Sequence, residues 1–135
     1  MVCTYCGQPT KVTNSRLQKR NNQVWRRRQC TKCHSVFTTH EAVDLKTTVS
    51  VDKNGQTEPF LPDLLYTEVL LALQDRKDCY TASRELTDTI IRQLLVQLES
   101  PVLTPVQISK VAVEVLRRFN KRAALRYTVE HPSVQ

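Results

Sequence analysis

From residue 61 onward, apolar residues recur every three or four positions, the spacing of a helix that buries one side. Three such stripes stand out. The first runs through Leu61, Leu65, Val69, Ala72 and Leu73 and opens at Pro62-Asp63. The second carries Leu86, Ile90, Ile91, Leu94, Leu95 and Leu98 and ends at Ser100-Pro101. The third, Ile108, Val111, Ala112, Val115, Leu116 and Phe119, starts with Thr104 as N-cap, Pro105 at the first helical position and Gln107 completing a capping box. A last, shorter helix is expected over 121–129. Ahead of the helices, 47–53 and 56–60 flank Asn54-Gly55, the strongest two-residue hairpin signal, and predict a β-hairpin. The apolar stripes are read as core first and partner surface second.

The first 41 residues follow a different pattern, with single apolar residues scattered among polar ones. Lys11–Arg16 and Gln23–Gln29 read as two strands joined by a turn at Asn21-Asn22, and Ser35–Thr39 as a third. So short a sheet has almost no core to hold it. Four cysteines supply the alternative. Cys3-x-x-Cys6 and Cys30-x-x-Cys33 are two knuckle pairs, 23 residues apart, and together make the closed four-thiolate set of a structural zinc site. No ligand position is left open for substrate, so the metal is expected to hold structure and do no chemistry. Two disulfides would need an oxidising compartment, and no apolar signal segment precedes Cys3. Iron in the same ligands would make an electron carrier, for which the neighbouring arginines have no role. A three-stranded sheet clipped by zinc is a zinc ribbon.

Charge sharpens the division. Of the net +7, residues 1–46 hold nine Lys/Arg against Glu41 and Asp44, while 47–135 hold eleven of each sign and balance. All the excess positive charge lies on the metal-bearing segment, which points to a polyanionic partner. Within it, Arg26-Arg27-Arg28 are consecutive. In a strand, Arg26 and Arg28 share one face while Trp25 and Arg27 share the other. Arginine's planar fork suits phosphate and guanine edges, and Ser15, Asn14 and Thr13 are short donors of the kind that position a protein on a phosphate backbone. Trp25 is read as an apolar plug for the small sheet ahead of a base-stacking residue. His34 and His40 are expected at the surface, since four cysteines already fill the metal site. Cys79 is read as a small semi-buried residue. No nucleophile, base and orienting group occur together, so the chain is not expected to be an enzyme. No run approaches the length of a membrane span, and no membrane partner is expected.

The run Cys3/Cys6, Lys11-Val12, Ser15-Arg16, Arg26-Arg27-Arg28, Cys30/Cys33 and Phe37-Thr38-Thr39 with Glu41 resembles the zinc ribbon of the NrdR family, bacterial transcriptional repressors of ribonucleotide reductase genes. The resemblance covers the first third of the chain and implies a DNA-binding set of Lys11, Ser15, Arg16, Arg26, Arg27 and Arg28. It further implies a second domain of the ATP-cone type, a hairpin capping a small helical bundle that binds ATP or dATP. Gly55-x-x-Glu58-Pro59-Phe60 and Ala72-Leu73 with Arg76 are similar to that pattern, and the corresponding nucleotide-binding positions are Val51, Lys53, Glu58, Arg76 and Arg126. Three departures reduce the nucleotide affinity expected here. The family's basic pair before the turn is Asp52-Lys53, its helix-opening lysine falls at Leu64, and its aromatic before the last arginine falls at Ala124. Trp25 stands where the family has a further arginine.

The chain is therefore read as α+β, with a zinc-ribbon DNA-binding domain over 1–41, a hinge at 42–46, an ATP-cone-like regulatory domain over 47–131 and a tail at 132–135. The resemblance implies a cytoplasmic DNA-binding repressor working on double-stranded DNA as a homo-oligomer, with structural zinc and a weakened ATP or dATP site. The alternatives are a nucleic-acid-binding adaptor whose cone has lost its nucleotide, and a protein-interaction ribbon of a larger enzyme.

Overall fold

The structure, a computed structural model, describes residues 1–132. It forms two compact units, one from Met1 to Val43 and the other beginning at Asp44. The expected tail lies, from residue 133 onward, outside the described residues.

The first unit is a sheet of three antiparallel strands, β1 (Thr10–Gln18), β2 (Gln23–Cys30) and β3 (Val36–Ala42), in the order β1-β2-β3. The strands outrun the sequence expectation because pairing carries on past the residues with strong strand preference. Asn22 takes a left-handed φ of 49° in the β1–β2 turn, a conformation asparagine tolerates. In β1 the register slips between Val12 and Asn14, so Thr13 is an extra, bulged residue. The hydroxyl of Thr13 donates to the Arg27 carbonyl at 3.2 Å, which ties the bulge down. Cys3 and Cys30 are the buried apolar residues described in this unit.

The second unit starts with a correction. Within the expected hinge, Asp44 accepts from the Lys46 amide at 3.2 Å and caps a single helical turn, α1 (Leu45–Thr48). The hairpin therefore begins at Ser50 and not at Thr47, with β4 (Ser50–Lys53) and β5 (Gln56–Pro59). Asn54 and Gly55 have φ of 57° and 85°, the two positive values of a hairpin turn matched to strand twist. A third strand escapes sequence reading: β6 (Val102–Leu103) lies parallel to β4, giving the order β5-β4-β6.

Four helices complete the unit: α2 (Pro62–Ala72), α3 (Cys79–Val96), α4 (Pro105–Phe119) and α5 (Lys121–Glu130). Thr104 and Gln107 make both halves of the capping box on α4, and the Asn120 side chain caps α5 by accepting from the Arg122 and Ala123 amides. The core draws on every helix and the short sheet, from Val49 through Val69, Ile90, Leu103 and Leu116 to Tyr127. Two expected stripe members fall outside it. Leu61, the residue before α2, is 43 % exposed, and Phe119, at the end of α4, is 45 % exposed with the Arg76 guanidinium 4.9 Å over its ring. On α3 the buried line runs through Ala82, Ser83, Thr87, Ile90 and Leu94, while Leu86, Ile91 and Leu95 only flank the core, as does Leu98, which lies past the end of the helix. Cys79 also packs against it, half-buried. Among the described residues, no helix is long and apolar enough to cross a membrane.

Candidate metal centre and nucleic-acid interface

The two knuckles have the same build. Gly7 and His34, each directly after the second cysteine of its pair, take left-handed φ of 70° and 60° and turn the chain back. The Cys3 amide donates to the Gln8 carbonyl at 2.7 Å, and the Cys30 amide to the Ser35 carbonyl at 2.9 Å. As a result the sulfurs of Cys3, Cys6, Cys30 and Cys33 lie within 4.8 Å of one another. The sulfur–sulfur separations are 3.4 Å for Cys6–Cys30, 3.6 Å for Cys6–Cys33 and 3.7 Å for Cys3–Cys33. Four sulfurs at about 2.3 Å from a tetrahedral zinc ion would stand about 3.8 Å apart, so the cluster fits that ion with little movement. Amides already point at the sulfurs: Tyr5 N–H at Cys3, and Lys32 and Cys33 N–H at Cys30, each at 3.4 Å. Ser35, through its hydroxyl first and its amide second, holds the Cys33 thiol down at about 6. Such donors favour the thiolates that a metal needs. His34 and His40 are exposed and stand apart from the cluster. The donor set is that of a structural zinc ion, with no open position for chemistry.

Strand register sorts the basic side chains. Residues directly opposite one another in a sheet share a face. One face carries the rows Lys11–Gln29–Val36, Asn14–Arg27–Thr38 and Arg16–Trp25–His40. The other carries Val12–Arg28–Phe37, Ser15–Arg26–Thr39 and Leu17–Val24–Glu41. The DNA-binding set expected from sequence is thus divided, with Lys11, Arg16 and Arg27 on the first face and Ser15, Arg26 and Arg28 on the second. The bulge at Thr13 matters here. Lys11 and Arg16 are five residues apart and would face opposite ways in a regular strand; the extra residue brings both to the Trp25 face.

The two faces differ in charge and in wetness. Glu41, the sole acid of residues 1–43, belongs to the second face, where it forms an ion pair with Arg26. Arg28 Nε on that face donates to Thr39 Oγ1 at 3.1 Å, and Phe37 and Val24 are half-covered. The first face has no acid. Arg27 there donates to Thr38 Oγ1 at 3.1 Å and remains exposed, and the Arg16 guanidinium lies 5.8 Å from the centroid of the Trp25 ring. Trp25 is the correction to the sequence reading: it stands on the wet, basic face and not among Val12, Leu17, Val24 and Phe37. Sequence alternation within β2 marks Trp25 and Arg27 as neighbours, but only the pairing with β1 and β3 shows that Val24 and Phe37 share the other face.

The nucleotide-binding positions expected in the second unit are spread over two adjoining cavities, with Arg76 outside both. Val51, Lys53 and Glu58 line a cavity of about 250 Å3, together with Phe60, Leu64, Glu68 and His131. Lys53 is the one lysine or arginine among its described lining residues, and its ammonium is 2.6 Å from Glu58. Arg126 lines a second cavity, of about 750 Å3, which adjoins the first at Glu68 and His131, and it grips Asp75 with two bonds of 2.8 and 3.0 Å. Arg76 lines neither and is bound to Asp78, both contacts being 2.8 Å. The smaller cavity therefore meets a ligand with one lysine against two carboxylates, Glu58 and Glu68. A triphosphate, stripped of water, needs the opposite balance. The smaller cavity by itself does not fit it.

The comparisons with known proteins agree with the ribbon's geometry. Residues 1–41 match the family model described as the transcriptional repressor NrdR-like N-terminal domain. The transcriptional repressor NrdR of Thermus thermophilus is 33 % identical over 128 residues, which covers 94 % of this chain and 81 % of that protein. That of Symbiobacterium thermophilum is 35 % identical over 127 residues, covering 94 % and 84 %. That of a Janthinobacterium strain is 32 % identical over 136 residues, covering all of this chain and 87 % of its relative. A four-sulfur clip on a basic ribbon, continued at this identity through the helical unit, makes the chain a member of the NrdR family.

Proposed function

We propose that this protein is a DNA-binding transcriptional repressor, a regulator and not an enzyme, that acts on double-stranded DNA at ribonucleotide reductase promoters in the cytoplasm. The observation that carries this reading is the acid-free ribbon face with Lys11, Arg16 and Arg27, built on a sheet whose order rests on zinc. A polyanion gains from such a face by releasing its counterions, and arginine forks add directional bonds to phosphate or guanine. Ser15, Arg26 and Arg28 lie across the sheet and would reach the backbone from its flank, with Arg26 first having to leave Glu41. A single ribbon spans few base pairs, so useful specificity requires at least two, presented by a homo-oligomer. The second domain would set their spacing.

The small cavity's negative balance favours one refinement, that DNA binding in this chain does not wait on a nucleotide. The test is a gel-shift with the full-length zinc-loaded protein on ribonucleotide reductase promoter DNA, run with no nucleotide, ATP or dATP. The expected result is retardation that weakens steeply with salt and is the same in all three lanes. No retardation at moderate salt overturns the repressor reading. A shift that appears or vanishes with one nucleotide overturns the refinement alone, as would heat in a calorimetric titration with ATP.

A further inference from the structure

Trp25 lies on the sheet face that carries no acid. It sits on the central strand, opposite the side carrying Val12, Leu17, Val24 and Phe37, and is flanked in register by Arg16 and His40. Its next neighbours on that face are Arg27, Asn14 and Thr38, all exposed and polar. The ring is half-buried, with Arg16 propped beside it at 5.8 Å. Leaving part of a large apolar ring open to water on a basic face costs hydration free energy, unless something apolar meets it. A duplex offers one such group in the major groove, the C5 methyl of thymine, and the groove admits strands as well as helices.

We propose that Trp25 is a base-contacting, specificity-determining residue that packs its indole against thymine methyl groups in the major groove, while Arg16, Arg27 and Lys11 around it hold the backbone and neighbouring base edges. This rests on the DNA-binding reading above. The register supports the division of labour: on the indole's face Arg16 lies directly beside it, Arg27 one row further along and Lys11 one row beyond that, so charge fixes the sheet on the duplex and the indole is brought to the bases. It also explains how the chain can spend one position of its basic strand on an uncharged residue.

Trp25 is the only tryptophan, so its emission reports on this contact alone. The test follows two signals on one sample: anisotropy of a labelled promoter duplex for binding, and Trp25 emission for contact. The expected result is a shift or quench of emission that tracks the anisotropy. Replacing thymine by deoxyuridine throughout the duplex should weaken wild-type binding by about fourfold for each methyl group that the indole would otherwise cover. Trp25→Ala, checked for full zinc content, should bind about tenfold more weakly and no longer distinguish thymine from deoxyuridine. Trp25→Phe should keep part of the discrimination. Anisotropy that rises with unchanged emission, or equal wild-type affinity for both duplexes, overturns the Trp25 proposal and leaves DNA binding standing. A flat anisotropy overturns DNA binding itself. Because the deoxyuridine arm uses the unaltered protein, it decides the matter even if the variants fail to fold.

Discussion

Residues 1–43 bury two apolar side chains, Cys3 and Cys30, and both are metal ligands; the unit beginning at Asp44 buries an unbroken cluster from Val49 to Tyr127. One chain thus uses two ways of offsetting the entropy of folding. The ribbon concentrates its stability in one ion, which frees both sheet faces for side chains chosen for function. The helical unit spreads stability over many contacts, and several of its surface cations are neutralised locally: Lys53 by Glu58, Arg76 by Asp78, Arg126 by Asp75. Where order comes from a metal clip, charge can stay unpaired and available. Where the charges are paired, they serve the fold.

The contrast is broken most directly by removing the metal. Chelation, or Cys30→Ser, should unfold the ribbon completely, because zinc supplies on the order of 10 kcal/mol or more to such modules. In an amide NMR spectrum the dispersed signals of β1, β2 and β3 should collapse while those of α2 to α5 persist. Retained ribbon dispersion without metal would contradict the comparison.

The converse experiment is Leu116→Ala, a fully buried residue of α4. It should cost about 2–5 kcal/mol in urea unfolding of the helical unit. Zinc stoichiometry should not change. A loss of bound zinc would mean that the two sources of stability are not separate.

A smaller effect separates the two sheet faces. Arg27→Ala should lower the slope of log affinity against log salt by about one, the value of a single phosphate neutralised. Arg26→Ala should lower it less, since Arg26 already has Glu41 as a partner. Equal slopes for both variants would remove the distinction between faces, and no change for either would favour the protein-interaction alternative.

The smallest effect concerns acid. Asp75 is held below the usual carboxylate range, chiefly by the hydrogen bonds from Arg126. Because its folded value lies below its unfolded one, its contribution is fully present above the unfolded carboxylate value and is lost as pH falls through the folded one. Asp75→Asn should therefore be less stable than wild type at neutral pH, with the gap closing well below about pH 4. A gap that stays constant with pH would show that the pair contributes nothing through its charge.

Much of this was legible in the chain because it is local. The Cys-x-x-Cys pairs, the Asn54-Gly55 turn and the Thr104/Gln107 box each fix a few neighbouring residues, so spacing alone reveals them. Features set by distant partners were hidden. The two residues of β6 have no strand signature and exist by parallel pairing with Ser50 and Val51. The helical turn at 45–48 depends on the Asp44 cap and is too short for periodicity to register. The placing of Lys11, Arg16 and Arg27 on the same face as Trp25 follows from one bulged residue, Thr13, which alternation along a single strand cannot show. Likewise, Val51, Lys53, Glu58, Arg76 and Arg126 were assembled by family pattern, and the ion partners that occupy the last two come from side-chain geometry that pattern does not carry.

The central claim is that zinc makes a nearly coreless basic sheet rigid enough to hold a duplex. It is tested most directly by adding zinc to metal-free full-length protein in the presence of a labelled promoter duplex at fixed moderate salt. Anisotropy should rise in proportion to zinc and level off at one equivalent per chain, and chelator should reverse it. Binding by the metal-free protein equal to that of the zinc-loaded one would contradict the account.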